Sequence, residues 1–178
     1  MNHADHVDLL KNGISEPGGV WADLGAGTGA FTLALAELIG PAGQIYAVDK
    51  DRSALRQLEG AMKNQFSGTM LRTYLADFTK PLDLPPLHGI VMANSLHFLR
   101  QKESVLRQIR GYLRPAGRLI LIEYDTDSGN YWVPHPLSYA TWSILAAQAG
   151  FSHTTLLATK PSRFLGRIFA AVSIKNTS

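Results

Sequence analysis

The chain predicts an α/β domain built around a mostly parallel sheet. Three features of the 178 residues lead there. Short apolar runs bounded by glycine or proline alternate with helix-period segments five times, the signature of parallel strands joined by crossover helices. Gly89 to Ala93 (GIVMA) is apolar throughout, as expected of a strand covered on both faces. The last two β-like runs have no helix between them, so they should pair antiparallel at one edge.

In chain order, Val7 to Leu10 begins a short polar helix that Gly13 and Pro17 interrupt. Val20 to Leu24 reads as a strand feeding a glycine turn. Phe31 to Ile39 is apolar nearly all round, a helix lying against a sheet, and Gly40-Pro41-Ala42-Gly43 stops it. Ile45 to Val48 makes the second strand, with Asp49 at its end. Leu55, Leu58, Met62 and Phe66 recur at helical spacing between Ser53 and Phe66. Met70 to Ala76 is a weaker third strand, followed by Asp77 and a loop containing Pro81, Pro85 and Pro86. After the fourth strand, Lys102 to Leu113 is an amphipathic helix closed by Arg114-Pro115-Ala116-Gly117. Arg118 to Ile122 is the fifth strand, and Leu137 to Ala149 a helix stopped by Gly150. Thr154 to Thr159 and Phe164 to Ile174 complete the pattern. No repeat or low-complexity stretch divides the chain, so one domain over residues 1–178 is expected, with residues 1–18 as an N-terminal helix and lid.

Composition narrows the function classes. Hydrophobic residues make up 46% and charged residues 17%, against a usual charged share of about 25%, so global disorder is excluded. Without cysteine there is no disulfide framework, thiolate metal site or thiol chemistry. The opening residues carry Asp5 and Asp8 and no apolar core, unlike a signal peptide, and no run approaches a membrane span. A cytoplasmic protein is the expectation. Net charge is +3 but uneven: residues 1–99 hold 7 basic and 10 acidic side chains, residues 100–178 hold 10 and 4. Arg107, Arg110 and Arg114 lie at helical spacing opposite Leu106, Ile109 and Leu113, which reads as a solvated helix face rather than a nucleic-acid surface.

The chemistry concentrates at Asp23-Leu24-Gly25-Ala26-Gly27-Thr28-Gly29, between the first strand and the first crossover helix. Glycines let a ligand approach the backbone, and a helix amino end offers free N–H groups. Asp49 lies 20 residues beyond Gly29, where a carboxylate receives ribose hydroxyls. Gly25, Gly27 and Ala30 also satisfy the dinucleotide fingerprint, so the turn alone leaves an NAD(P)-dependent oxidoreductase open. Asp23 argues against it, because a carboxylate there complements an ammonium and repels a pyrophosphate. Asp77, after the third strand, suits the exocyclic amine of an adenine. Tyr46 and Lys50 match a dehydrogenase Y-x-x-x-K spacing, but on a strand such residues stand about 13 Å apart.

With these residues in place, the chain resembles the class I S-adenosylmethionine-dependent methyltransferases, and among them the small-molecule group that includes quinone-biosynthesis enzymes. VWADLGAGTGAFTLALA, IYAVDKD and LADF match the first three motifs, and GIVMANSLHFL and LRPAGRLILIE match the fourth and fifth strands with their flanks. The resemblance implies a Rossmann-like seven-stranded sheet, helices on both faces, in which the last strand runs antiparallel between the fifth-strand and sixth-strand neighbours. It also implies that Gly25, Ala26, Gly27 and Gly29 line the methionine moiety of S-adenosyl-L-methionine, with Asp23 on its amino group. Asp49 would take the ribose, Lys50 would lie beside the adenine, Asp77 and the Phe78 backbone would hold the adenine edge, and Asn94 would sit near the sulfonium.

Methyl transfer from a sulfonium is an in-line displacement, so holding a nucleophile about 3–3.5 Å from the methyl carbon supplies most of the rate. A base is needed only where the acceptor must lose a proton. His97, after the fourth strand, is the expected catalytic base. Glu123, Tyr124 and Asp125 follow the fifth strand and are expected to face the acceptor, with Phe98, Tyr131, Trp132 and His135 as pocket wall. That lining suits a small, partly apolar acceptor. A non-catalytic S-adenosylmethionine-binding module is the alternative from another class. His3 and His6 are one helical turn apart, but no second ligand pair accompanies them, so no metal is expected. Base amino-methylation is disfavoured by the absence of N-P-P-Y or D-P-P-Y after the fourth strand.

Overall fold

All seven strands join one sheet in the order β3-β2-β1-β4-β5-β7-β6 in the computed structural model, which describes residues 1–177. The strands are β1 (Gly19–Leu24), β2 (Gly43–Asp49), β3 (Met70–Leu75), β4 (Leu87–Ala93), β5 (Leu113–Tyr124), β6 (Phe151–Ser162) and β7 (Gly166–Lys175). The first five pair in parallel. β7 is antiparallel to both β5 and β6, as two strands joined by a tight turn must be.

The helices are α1 (His3–Leu10), α2 (Ala30–Ile39), α3 (Arg52–Gln65), α4 (Glu103–Tyr112) and α5 (Tyr139–Gln148). Strand alternation sorts the core into two layers. Trp21, Ile45, Val91, Ile120 and Ile122 meet Leu9, Leu10, Phe31, Leu35, Leu55 and Leu58 from α1, α2 and α3. Ala22, Leu24, Val48, Ile90, Met92 and Leu121 meet Leu106, Ile109 and Trp142 from α4 and α5. Each fully buried side chain of this size contributes roughly 1.5–3 kcal/mol, so both layers are needed.

Two expectations shift. Arg114-Pro115-Ala116-Gly117, read as the stop after a helix, lies inside β5 as a wide bulge: Leu87 pairs with Leu113, but Gly89 already pairs with Arg118. Ala116 takes φ 59° to make it. The N-terminal helix is docked, not free. Asn2 and Asp5 form a capping box, Leu9 and Leu10 are fully buried, and Lys160 of β6 bonds Asp5 at 3.0 Å and Asp8 at 3.1 Å.

Strand order reverses between β1 and β4, because β2 and β3 lie on one side and β5 on the other. Ligands of open α/β sheets bind at the carboxyl ends of the strands at such a point.

Candidate functional site

The glycine turn is fastened to β2. The Gly25 and Ala26 amides donate to the Val48 carbonyl at 2.8 and 3.1 Å, and the Gly27 amide donates to Asp49 Oδ2 at 2.8 Å. Gly25, Gly27 and Gly29 all have positive φ, which glycine adopts without a Cβ penalty. The turn holds apart two adjoining cavities. One, of about 510 Å³, is walled by Asp49, Lys50, Asp77, Phe78, Ser95 and Phe98; the other, of about 270 Å³, by Asp23, Ala26, Gly27, Phe31, His6 and Met1. Gly25 and Asn94 line both, at the join.

Two buried polar atoms beside this join have no partner: Asp23 Oδ1 and Asn94 Oδ1. The other Asp23 oxygen accepts a 2.6 Å bond from Thr32 Oγ1 on α2. Burial, with the charge of Asp49 nearby, pushes the Asp23 carboxyl up to about 7 despite that bond. A buried acceptor without a partner gains most from an incoming donor. A cationic amine fits the smaller cavity.

In the larger cavity Asp49 is half-buried, and its Oδ1 accepts the Asp51 amide at 2.9 Å. Asp77 Oδ1 accepts the Thr79 amide at 2.9 Å. That amide and the Thr79 hydroxyl, with Lys80 and Lys50 nearby, hold the Asp77 carboxyl below its ordinary range. Asp77 thus caps its own turn and still faces the cavity. Lys50 is exposed at the rim, and Phe78 is half-buried in the wall.

The structure brings every expected cofactor residue except Gly29 to a cavity wall; Gly29 is buried and turns the chain into α2. The expected base lies on the short turn Leu96–Phe98, between the cavity-wall residues Ser95 and Phe98. His97 is 3% exposed, bonds Glu123 through Nδ1 at 2.8 Å, and is not in either cavity wall. Glu123, expected to face the acceptor, is fully buried, because its strand parity is that of Leu119 and Leu121. Asp125 accepts from the Tyr139 amide and Arg167. Tyr124 packs against Phe164 at 5.8 Å between ring centroids. Tyr131 and Trp132 stack edge-on to each other and are 87% and 69% exposed, so they wall neither cavity. Of the expected pocket wall, Phe98 does line the larger cavity and is 61% exposed.

Sequence reasoning missed Thr32, Ser95 and Thr79. Thr32 carried a signal, as the one hydroxyl in a helix whose only other polar residue is Glu37, nine residues after an aspartate. Of the two N-terminal histidines, His3 pairs with Glu37 at 2.7 Å, while His6 packs on Phe31 and lines the smaller cavity. Among the described residues, no group of three His, Cys, Asp or Glu side chains is placed to hold a metal, and no helix is long and apolar enough to cross a membrane.

Residues 22–119 match a family described as a methyltransferase domain. The chain is 29% identical over 128 residues to the ubiquinone/menaquinone biosynthesis C-methyltransferase UbiE of Burkholderia thailandensis, covering 71% of this chain and 50% of that protein. The Burkholderia pseudomallei UbiE matches equally. The chain thus spans about half the length of the curated relatives it matches. Among solved structures, a SAM-dependent methyltransferase from Aquifex aeolicus superposes with TM-score 0.74 at 19% identity, over 96% of this chain and 89% of that one. The Burkholderia thailandensis 1,6-didemethyltoxoflavin-N1-methyltransferase, with 1,6-didemethyltoxoflavin and S-adenosylhomocysteine bound, superposes with TM-score 0.76 at 17% identity, over 98% and 78%. At these identities the superpositions establish the fold, and the seven-stranded order follows it.

Proposed function

The chain belongs to the methyltransferase-domain family, and from that premise we propose that it transfers a methyl group from S-adenosyl-L-methionine to a small, partly apolar acceptor. One observation carries the reading: the fully buried, unpartnered Asp23 Oδ1 at the foot of the glycine turn, in a cavity that meets a second one lined by Asp49 and Asp77. A pyrophosphate would be repelled there, which disfavours the NAD(P) alternative, whereas an amino-acid ammonium supplies the missing donor.

The cofactor, when bound, supplies an electrophilic methyl on a sulfonium. The chain's residues do the holding. Asp23 would accept the amino group, and Gly25, Ala26 and Gly27 leave room for the backbone of that moiety. Asp49 has free lone pairs for ribose hydroxyls, Asp77 and the Phe78 backbone meet the adenine edge, and Lys50 closes the rim. Asn94, at the join of the cavities and with an unpartnered buried oxygen, would lie near the sulfonium. Phe98 provides an apolar face for the acceptor. The UbiE relatives are named for carbon methylation in quinone biosynthesis, and a partly apolar acceptor is in keeping with that. A cytoplasmic location and an acceptor other than nucleic acid go with this reading.

Calorimetry with S-adenosylhomocysteine and with NAD tests it. Binding of the first without the second is expected, and the reverse result overturns it. A methyl-release assay against a metabolite panel then separates an enzyme from a module that only binds.

A further inference from the structure

Another cavity, of about 270 Å³, lies at the amino ends of the strands, across the sheet from the glycine turn. Gly18 and Gly19 wall it at the start of β1, His88 near the start of β4, and Arg114 and Arg118 on either side of the β5 bulge, with Glu16 exposed beside them. None of these residues lines either cavity at the glycine turn. The length of β1, roughly 17 Å at the rise of a strand, separates the two places.

The bulge is what places the arginines. Between the pairs Leu87–Leu113 and Gly89–Arg118, β4 advances by two residues and β5 by five. The β5 backbone must therefore loop out and return, and Ala116 takes φ 59° to do it, an uncommon conformation for a residue with a Cβ. Bulges re-aim side chains, and this one brings Arg114 and Arg118 to the same wall. Arg118 Nη1 is anchored on the Gly13 carbonyl at 2.9 Å, while Arg114 is exposed. Among the described residues neither arginine pairs with a carboxylate, Glu16 included.

His88 adds a donor of fixed identity. The Val20 amide donates to its Nδ1 at 3.0 Å, so the hydrogen of the neutral ring is on Nε2. Burial, with the Arg114 guanidinium nearby, holds the imidazole below its ordinary range against the pull of Glu16, so the ring is neutral at pH 7. A Cβ on Gly19 would stand 3.0 Å from His88 Cγ, and glycine there lets β1 approach the ring.

We propose that this cavity binds a phosphate dianion, held by the Arg114 and Arg118 guanidiniums and the Nε2–H of His88. Two permanent cations stand against the one carboxylate of Glu16, and guanidinium forks make strong charge-assisted bonds to phosphate oxygens. Donors from β4 and from both sides of the bulge suit a tetrahedral anion whose oxygens face several ways, whereas a planar carboxylate fills one fork. The volume takes inorganic phosphate and leaves room for a small ester group.

Calorimetry at constant ionic strength and mildly alkaline pH tests the site. Inorganic phosphate, glycerol 3-phosphate and succinate are each titrated into the native protein, Arg114→Gln and Glu16→Gln, both substitutions being at exposed positions. Saturable phosphate binding is expected, weakened tenfold or more in Arg114→Gln and tightened at least twofold in Glu16→Gln, where a like charge is removed. Tighter binding of the ester identifies the occupant as a small organic phosphate, and tighter binding of inorganic phosphate identifies the free ion; either supports the site. No saturable binding overturns it, as does failure of either variant to change affinity in the stated direction, or succinate binding as tightly as phosphate. The His88 Nε2 resonance should shift on saturation, and an unmoved resonance also overturns the site. Saturating S-adenosylhomocysteine should leave phosphate affinity within about twofold, and competition between the two would put the phosphate at the glycine turn instead, against the proposal.

Discussion

The Gly27 amide donates to Asp49 Oδ2 at 2.8 Å, so the carboxylate that borders the larger cavity also fixes the glycine turn bordering the smaller one. Losing it removes the partner of a backbone N–H and, on the proposed reading, an acceptor for the ligand. Asp49→Ala should weaken S-adenosylhomocysteine binding by roughly 1–3 kcal/mol. Calorimetry on the folded variant checks this, and unchanged affinity takes Asp49 out of the site.

The glycines of the turn divide by what surrounds them. Nothing lies within 4 Å of a Cβ placed on Gly27, whose φ is 53°, so a side chain there enters the open cavity. At Gly29 a Cβ would collide with the Leu58 side chain of α3. Gly27→Val should therefore abolish S-adenosylhomocysteine binding with a cooperative thermal transition preserved. Gly29→Val should lower Tm more than Gly27→Val. Thermal unfolding of the pair tests the order, and the opposite ranking would place the wrong glycine at the ligand.

Burial pushes the Asp23 carboxyl from 3.8 up to about 7. Between those values the folded protein keeps a proton that the unfolded chain has released, so this group makes stability fall as pH rises through about 4 to 7, by up to about 1.4 kcal/mol per unit. Asp23→Asn keeps an acceptor for Thr32 and should flatten that slope. An ammonium arriving at Oδ1 would draw the proton off, so binding of S-adenosylhomocysteine near pH 6.5 should release protons. Titrations in buffers of different ionisation enthalpy measure the release; none observed, with the native slope retained in Asp23→Asn, would mean Asp23 does not titrate there.

The sheet and its crossover helices were legible because periodicity reports which face is buried, and burial is what orders these elements. The glycine turn and Asp49 were legible because their spacing is set by one strand–helix–strand unit. Side chains just past strand ends were not. Glu123 and Tyr124 are adjacent and both polar-tipped, yet one residue of strand parity sends the first into the core and leaves the second half-buried. His97 sits in a short 3-10 turn with no period to read, and its direction depends on a carboxylate 26 residues away. Tyr131 and Trp132 looked like a pocket wall by composition, but aromatic character carries no address.

α1 contributes Leu9 and Leu10 to the core and His6 to the wall of the smaller cavity, so its packing is expected to stabilise the domain. Leu10→Ala should destabilise the protein by about 2–5 kcal/mol, the usual cost of emptying a fully buried leucine site. Lys160→Met, which removes part-buried ion pairs to Asp5 and Asp8, should change Tm modestly and speed amide exchange across His3–Leu10. Chemical denaturation of Leu10→Ala is the sharper test: native stability would mean that α1 is a detachable lid.

The basic residues of the second half look like a stripe in sequence and disperse in space. Lys102 is buried, its ammonium bonded to the Leu99 and His135 carbonyls, and burial pulls its pKa down against the nearby charges of Glu123 and Glu103. Arg110 donates to the Gly150 carbonyl after α5, and Arg118 to the Gly13 carbonyl. Arg107 and Arg114 stay exposed on and after α4, whose amphipathic face packs beneath the sheet. Of the helical stripe Arg107, Arg110 and Arg114, the two that stay exposed would neutralise too few phosphates for the steep salt dependence of nucleic-acid binding. Filter binding or fluorescence anisotropy with RNA and duplex DNA should therefore detect no micromolar complex at physiological ionic strength. A complex whose affinity falls steeply with salt, and which weakens in Arg107→Ala, would show that this face recruits a macromolecular acceptor, and the small-molecule reading would then have to yield.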